Sequence, residues 1–343
     1  MLDYKKTGTF LASKRKQAQM TQADVAQKLG VSFQAVSKWE NGTLPFPEIP
    51  HPVLVLKSEE PGSKQKLAME YGYSESICHD MINHLVNDIM VMGARPLAVL
   101  DTIVCGSAEK ETIKSFIKGI SDACRENGCS LVGGETSIQP QVVEKGVYVL
   151  TSSIAGILSK DKVIDGSGIT EGDTVLAVAS NGLHTNGYSL VRMLMDQMPQ
   201  IKLEKIDGET FIEQIMKPHT TYRNAIRNLL ECPGIHGMAH ITGGGIQGNL
   251  CRILPDGLYA DIDLSKIKTL PIFRYIQRIG NIDEAEMLST FNCGVGLIVV
   301  VSERYAEQAI RNIAKYHDCY EIGRIRKGSG KVLFRNSVNW ESS

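Results

Sequence analysis

A proline-rich stretch divides this chain into two parts that differ in length and composition. Pro45, Pro47 and Pro50 lie so close together that no regular helix can run through them. We therefore interpret residues 45–51 as a short, semi-rigid linker. It follows a small head, residues 1–44, and precedes a body that makes up most of the 343 residues.

The head is basic, whereas the body is mildly acidic. The whole chain has a net charge of −1, yet residues 1–44 carry seven Lys or Arg side chains against three acids. Such an asymmetry is a recognised hint of a nucleic-acid-binding module.

Helix start and stop signals follow each other closely in the head. Thr21 is a good N-cap for a helix over Gln22–Leu29, and Ser32 can cap another over Phe33–Glu40. Gly30 between them supplies a tight turn. Two short helices joined in this way predict a helix-turn-helix.

The head resembles the helix-turn-helix of the Cro and phage-repressor family from Met20 to Gly42, and departs from it where the prolines begin. The resemblance implies binding to double-stranded DNA. Short polar side chains reach base edges and lysines reach phosphates. The candidate DNA-binding residues are Gln22, Ser32, Gln34, Ser37 and Lys38. The alternative is a small helical cap with a basic, solvated face.

The body alternates apolar, strand-like runs with helical patterns. The runs predict strands over Pro52–Lys57, Leu97–Leu100, Gly146–Ile157, Thr174–Ala179 and Gly294–Val301. The helical patterns cover Ile77–Met92, Lys110–Asn127, Ser189–Gln197, Thr220–Glu231 and Glu303–Lys315. Asp165–Asp173 is dense in turn residues and is the best domain boundary within the body.

One predicted helix gathers polar side chains on a single face. Asp80, His84, Asn87 and Asp88 span about 100° of its circumference. Carboxylate and amide oxygens suit Mg²⁺. A solvated polar face is the alternative. Asp101, which ends the run Leu97–Leu100, is a weaker candidate of the same kind.

Three segments rich in glycine and small polar residues are candidates for ligand binding. They are Gly133–Thr136, Ser180–Leu190 and His240–Gly245. Exposed backbone N–H groups in such loops can bind phosphate. Together with the carboxylates they suggest a phosphorylated substrate and a magnesium nucleotide, although ordinary turns are the alternative for each.

The body resembles the family of aminoimidazole ribonucleotide synthase, or phosphoribosylformylglycinamidine cyclo-ligase. The motifs that carry the resemblance occur in the family's order over residues 52–335 and include Val86–Ile89, Gly93–Leu97, Gly133–Thr136, Asn186–Leu190, His240–Gly245 and Phe291–Gly296. The resemblance implies an α+β body of two domains, 52–160 and 168–335. It also implies a homodimer formed through the first domain.

The family's reaction uses ATP, with Mg²⁺, to close the imidazole ring of formylglycinamidine ribonucleotide in purine biosynthesis. The resemblance implies catalytic roles for Lys64, Asp88, Asp101 and His184. It implies nucleotide contacts from Glu59, Gly62, Ser63, Asp80, Asn87, Gly133, Gly134, Glu135 and Thr136. The implied metal ligands are Asp80, Asp88, Asp101 and Glu135. The implied substrate-binding residues are Asn186, Gly187, Thr242, Gly243, Gly244 and Gly245.

Two departures from the family fall on the catalytic side. The family's Thr-Asp-Gly-Val-Gly-Thr-Lys loop is replaced by Ser58–Lys64, where Glu60 adds a charge and Pro61 removes an N–H donor. The head also stands where the family has a glycine-rich loop. A regulator that binds DNA and senses a purine intermediate or nucleotide without turnover is therefore an alternative to the cyclo-ligase. A relative acting on another phosphorylated small molecule is a third reading.

The composition of the chain indicates where in the cell it is located. No run of 18 apolar residues is present, so no membrane span is expected, and the polar start of the chain does not resemble a secretory signal. Eight scattered cysteines are typical of reduced thiols in the cytoplasm.

Overall fold

The computed structural model describes residues 4–29, 32–42, 49–328 and 331–341. The chain divides into two compact units: residues 1–53 with 158–161, and residues 54–157 with 162–343. The predicted turn residue Gly30 and linker positions 45–48 lie outside the described residues.

The head contains three helices, α1 (Tyr4–Gln17), α2 (Gln22–Leu29) and α3 (Phe33–Glu40). The bounds of α2 and α3 match the prediction because both caps form. The hydroxyl of Thr21 accepts from the Asp24 N–H at 3.1 Å, and that of Ser32 accepts from the Ala35 N–H at 3.2 Å.

A four-stranded sheet in the order β1-β4-β2-β3 begins the body. Its strands are β1 (Pro52–Glu59), β2 (Arg95–Cys105), β3 (Ser130–Ile138) and β4 (Tyr148–Ser159), and its helices are α4 (Lys64–Tyr71), α5 (Ser76–Met90) and α6 (Lys110–Glu126). Helices α5 and α6 pack on one face of this sheet. Alternate residues of β2 therefore differ, since Val99 is buried while Leu100 is 52% exposed on the opposite face.

A six-stranded sheet in the order β12-β9-β11-β5-β10-β8 forms the core of the rest. Its strands are β5 (Thr174–Ala179), β8 (Ile235–His240), β9 (Leu258–Asp263), β10 (Val295–Val301), β11 (Cys319–Lys327) and β12 (Val332–Arg335). A small separate ladder joins β6 (Lys205–Ile206) to β7 (Glu209–Thr210). The helices are α7 (Tyr188–Gln197), α8 (Phe211–Ile215), α9 (Arg223–Leu229), α10 (Gly245–Leu250), α11 (Pro271–Gly280), α12 (Glu284–Thr290) and α13 (Ala306–Ile313).

The mixed α+β class predicted for the body is confirmed. A tight turn was the alternative to ligand binding for Gly133–Thr136, but these residues lie inside β3, paired in parallel with β2. Among the described residues, every helix falls short of the length and apolar character needed to cross a bilayer.

Candidate active site

A cavity of about 510 Å³ lies between the two halves of the body. Its first wall carries charged and imidazole side chains from β1 and α5, namely Lys57, Glu59, His84 and Asp88. Its second wall comes from the end of β8 and the segments that follow it, with Asn186 alongside. The polar residues of this wall are His240, Thr242, Gly243, Asn249 and Arg252.

The carboxylate of Asp88 is the centre of the first wall. Its Oδ1 lies 2.7 Å from Nδ1 of His240, and its Oδ2 lies 3.2 Å from Nζ of Lys57. The same Nζ lies 3.0 Å from a carboxylate oxygen of Glu59. Burial on its own would raise the pKa of Asp88, but the hydrogen bond from His240, together with the Lys57 ammonium, outweighs it and lowers that pKa. Asp88 is therefore ionised at neutral pH.

The side-chain amide of Asn249 holds the glycine loop of the second wall, Thr242–Gly245, in place. Nδ2 of Asn249 donates to the carbonyl oxygens of Gly243 at 3.2 Å and Gly245 at 2.8 Å. A Cβ on Gly245 would clash with the carbonyl of Leu288, so close packing as well as its φ of +60° requires glycine there. Thr242 and Gly243 face the cavity as predicted, together with Asn186.

Two other residues that were predicted to bind the substrate lie at the starts of helices. Gly187 has a φ of +81° at the start of α7, and a Cβ there would clash with the ring of Phe291. Gly244 has a φ of +91° at the start of α10. Both residues shape the loops and do not line the cavity.

The predicted catalytic Lys64 and metal ligand Asp80 form a fully buried ion pair. Nζ of Lys64 lies 2.8 Å from Oδ1 of Asp80, with both side chains inaccessible to solvent. Burial lowers the pKa of Lys64, and burial raises that of Asp80 to about 6 against the opposing charge of Lys64. The pair thus lies in the interior of the body and does not line the cavity.

The predicted catalytic His184 is also buried. Its ring stacks on His219 with centroids 3.9 Å apart, and neither ring nitrogen has a hydrogen-bond partner among the described residues. Burial holds the pKa of His184 well below its usual value, so the ring is neutral.

The predicted nucleotide residue Asn87 is buried as well and connects α5 to the second half of the body. Its amide donates to the Thr220 carbonyl at 2.8 Å and accepts from the Tyr222 N–H at 2.9 Å.

Asp101 and Glu135, the two other carboxylates predicted to bind metal, point to opposite faces of the sheet because side chains alternate along β2 and β3. Asp101 pairs with Gly134, and a Cβ on Gly134 would clash with the Asp101 carboxylate, which is buried on the helix-covered face. Burial raises the pKa of Asp101. Glu135 is the next residue of β3, so its side chain points to the opposite, exposed face. Gly133 and Thr136 lie in the same exposed edge strand.

The predicted loop before α4 lies at the edge of this region. Gly62 has a φ of +61° and packs against the Thr185 carbonyl, and Ser63 precedes α4 without making a side-chain cap. Of the loop residues predicted to bind the nucleotide, Glu59 lines the cavity.

The predicted magnesium site is not assembled from these four carboxylates. Only Asp88 among Asp80, Asp88, Asp101 and Glu135 lines the cavity, and the additional donors beside it are imidazoles of His84 and His240. Mg²⁺ prefers oxygen ligands over nitrogen. Because Asp88 is already bound by His240 and Lys57, the residues present do not fit a resident magnesium ion.

Of the five candidate DNA-binding residues, three have side chains that make hydrogen bonds within the head. Gln34 and Lys38 are exposed on α3. Ser32 caps α3, Ser37 accepts a hydrogen bond from Asn41 at 3.4 Å, and Gln22 donates to Glu40 at 2.8 Å.

Sequence reasoning missed Lys57, Asn249 and Arg252 as cavity residues. A signal for Lys57 was present, because alternation along β1 puts it on the same face as Glu59. Asn249 and Arg252 have no local signature, since they reach the cavity only through the fold of the loop and helix after β8.

Family models match almost the whole body and most of the head. The N-terminal domain of AIR synthase related protein matches residues 54–158, and the corresponding C-terminal domain matches residues 170–336. A helix-turn-helix family matches residues 11–47.

Similar proteins agree with these matches. The phosphoribosylformylglycinamidine cyclo-ligase of Bacillus cytotoxicus is 41% identical over 294 residues, covering 84% of both chains. That of Methylobacillus flagellatus is 42% identical over 307 residues, covering 88% of this chain and 85% of its own. Among solved structures, HypE of E. coli has a TM-score of 0.61 at 20% identity, covering 84% of this chain and 83% of its own. This last likeness concerns the fold alone.

Proposed function

The chain belongs to the family of AIR synthase related proteins, and on that premise we propose that its body is an ATP-dependent cyclo-ligase. The proposed reaction closes the imidazole ring of formylglycinamidine ribonucleotide to give aminoimidazole ribonucleotide. The observation that carries the proposal is an identity of about 40% over more than four fifths of the chain with proteins named for this activity.

The chemistry proceeds in two stages. ATP transfers its terminal phosphoryl group to the formyl amide oxygen, which turns that oxygen into a leaving group. An internal nitrogen then attacks the formyl carbon, the new C–N bond closes the ring, and phosphate departs. Holding the nitrogen beside the activated carbon converts the attack into a well-oriented intramolecular step, which supplies much of the rate.

The second wall of the cavity is the proposed site of the phosphorylated substrate. The backbone N–H groups of Thr242 and Gly243 and the side chains of Asn186 and Arg252 are donors suited to phosphate and ribose oxygens. The Asn249 amide keeps this loop in one conformation before the substrate arrives. The first wall, with Glu59 and Asp88, then faces the reacting atoms.

MgATP is the proposed second substrate, with the ion bound to its phosphate oxygens. The ion neutralises the triphosphate and favours transfer of the terminal phosphoryl group. Gly62, Ser63 and the exposed strand Gly133–Thr136 stay candidates for contacts with the nucleotide.

Isotope transfer tests the proposed reaction. Substrate with oxygen-18 in its formyl group is incubated with MgATP, and the released phosphate is analysed by mass spectrometry. Formyl oxygen activation predicts one labelled oxygen in the phosphate. Unlabelled phosphate would show hydrolysis of ATP without ring closure.

A homodimer through the first sheet accompanies this function in our proposal. The uncovered face of that sheet exposes Leu54, Leu56, Leu100 and Val132, by 52–75% of each side chain. Contiguous apolar surface of this kind marks an interaction site. The eight free cysteines, seven of them buried, support a reducing, cytoplasmic location.

DNA binding by the head is a second proposed function. It is supported by the helix-turn-helix match over residues 11–47 and by the exposure of Gln34 and Lys38 on α3. In this role the body would report a purine intermediate or nucleotide to the head.

Binding of the full chain to random-sequence duplexes at several salt concentrations tests the head. Lys38→Ala is expected to flatten the slope of log affinity against log salt by about one phosphate contact. Lys66→Ala, an exposed lysine of the body, is the matched control. A salt-independent affinity would refute DNA binding.

A further inference from the structure

The ammonium of Lys57 lies between two carboxylates on the first wall of the cavity. Its Nζ is 3.0 Å from Oε2 of Glu59 and 3.2 Å from Oδ2 of Asp88. Alternation along β1 puts Lys57 and Glu59 on one face of that strand, and Asp88 comes from the last turn of α5. The Lys57 side chain is 37% exposed, so its charge is open to the cavity that it lines.

Each of the four oxygens of these two carboxylates already lies against a nitrogen of the protein. Oε1 of Glu59 accepts from the Glu60 N–H at 3.2 Å, and Oδ1 of Asp88 lies 2.7 Å from Nδ1 of His240. The other two oxygens share the Lys57 ammonium. A divalent cation bound to both carboxylates would have to take the place of that ammonium, because both ions need the same two oxygens.

The charges of this cluster persist at neutral pH. Burial on its own would lower the pKa of the Lys57 ammonium, but its contacts with Glu59 and Asp88 outweigh burial and raise that pKa. Lys57 and Asp88 are therefore both charged at pH 7. The lysine cancels part of the negative charge that would otherwise attract a metal ion.

The ammonium keeps a donor for a ligand. It carries three N–H groups, and Glu59 and Asp88 offer one oxygen each to it. Lys57 and Arg252 line the same cavity, one on each wall. An anionic oxygen in the cavity would therefore meet positive charge from both walls, as a phosphoryl group requires.

We propose that the Lys57 ammonium takes the place of a protein-bound divalent cation in this cavity and binds an oxygen of the phosphoryl group that is transferred. This inference rests on the proposed cyclo-ligase reaction and names a residue for its first stage. In that stage the bond from the terminal phosphorus to the ADP oxygen breaks, and the bond to the formyl oxygen forms. Lys57 keeps its proton and makes no covalent bond, and its charge stabilises a non-bridging oxygen.

Titration of the full-length protein with Mn²⁺ alone tests the cation position. Mn²⁺ accepts carboxylate ligands, and its electron paramagnetic resonance signal measures the free ion. Lys57→Met leaves Glu59 and Asp88 together without the ammonium. We expect this variant to bind Mn²⁺ roughly tenfold more tightly than the wild type, because a positive charge beside the ion is removed.

Three further variants locate the new site. Lys57→Arg keeps the positive charge and should gain no affinity for Mn²⁺. Adding Glu59→Gln to Lys57→Met should abolish the gain, because one of the two carboxylates is then neutral. Lys66→Met, at an exposed lysine of α4, is the matched control. Thermal unfolding verifies that each variant is folded.

Kinetics tests the contact with the phosphoryl group. Lys57→Met is expected to lower kcat roughly 10²–10³-fold, the usual loss when one donor to a developing charge is removed, with a smaller effect on KM. Lys57→Arg should recover part of this loss, because a guanidinium also supplies positive charge and N–H donors. Lys66→Met should have the kcat of the wild type.

The outcomes separate this inference from the proposed function. Equal Mn²⁺ affinity of the wild type and Lys57→Met would overturn the cation role of Lys57, as would Mn²⁺ binding by the wild type that Glu59→Gln abolishes. An active wild type whose Lys57→Met variant keeps kcat within about threefold would overturn the phosphoryl contact and leave the cyclo-ligase intact. Inactivity of the wild type with its substrates would overturn the proposed function, while the Mn²⁺ titration would still decide which cation the two carboxylates bind.

Discussion

Nζ of Lys64 lies 2.8 Å from Oδ1 of Asp80 in a part of the body that solvent does not reach. The same ammonium donates to the carbonyl oxygens of Lys217 at 2.6 Å and His184 at 3.2 Å. Oδ1 of Asp80 also accepts from the His219 N–H at 2.8 Å. The pair thus ties helices α4 and α5 to segments of the second half of the body, and so fixes the two walls of the cavity.

Removing one partner of this pair should be costly. Lys64→Met leaves the Asp80 carboxylate buried without a counter-ion, and we expect the free energy of unfolding to fall by about 3–5 kcal/mol. Urea denaturation measures the change. Lys66→Met, an exposed lysine of the same helix, should stay within about 0.5 kcal/mol of the wild type. Equal stability of the two variants would contradict the structural role of Lys64.

Adjacent glycines of β3 should respond differently to alanine. A Cβ on Gly134 clashes with the Asp101 carboxylate, so Gly134→Ala is expected to cost about 1–3 kcal/mol. A Cβ on Gly133 meets only Cδ2 of Leu100 at 3.4 Å, and Gly133→Ala should be nearly neutral. The comparison is made by thermal unfolding. A loss of ATP affinity in folded Gly133→Ala would instead place the nucleotide on this strand.

Stability should fall on acidification because of three neutral histidines. Burial lowers the pKa of His84 to about 4 and holds those of His184 and His219 well below the usual value. The unfolded chain takes up protons below about pH 6.5 while the folded chain does not, so stability is full above that pH and is lost towards pH 4.

Each of these histidines should contribute about 1.4 kcal/mol per pH unit in that window. Urea denaturation at pH 7, 6 and 5 measures the slope. His219→Gln should reduce it relative to the wild type, whereas His79→Gln should not. A free energy of unfolding that is constant over this range would show that these side chains are not buried as neutral rings.

The proposed dimer can be disrupted on its apolar face. Leu56→Glu and Leu100→Glu place charges among side chains that are 75% and 52% exposed in the single chain. We expect both to shift the sedimentation coefficient from dimer to monomer. Leu203→Glu, at a leucine 80% exposed elsewhere, should leave the dimer intact. A monomeric wild type, or a dimer unaffected by both substitutions, would contradict the assignment.

The sequence predicted helices and strands correctly where it contains a clear capping residue or a continuous apolar run. Helices α2 and α3 match to the residue because Thr21 and Ser32 form their caps, and β5 matches because Thr174–Ala179 is almost wholly buried. Strand β3 was missed because it is an exposed edge strand with adjacent glycines, so it lacks the apolar alternation of a half-buried strand.

Site residues were harder to predict than elements. Helix periodicity placed Asp80 and Asp88 on one face, but it could not show that Lys64 neutralises the first while the second faces the cavity. Such pairings join residues far apart in sequence. The same limit applies to His184, because nothing in the sequence indicated that its ring stacks against His219.

Ring closure itself is the most direct test of the proposed function. Full-length protein is incubated with MgATP and formylglycinamidine ribonucleotide, and phosphate release and aminoimidazole ribonucleotide are measured together, with Asp88→Asn as the control. We expect equal amounts of phosphate and aminoimidazole product, dependent on substrate and lost in the control. Thermal stabilisation by the same ligands without either product would contradict it, and would identify the body as a sensor for the DNA-binding head.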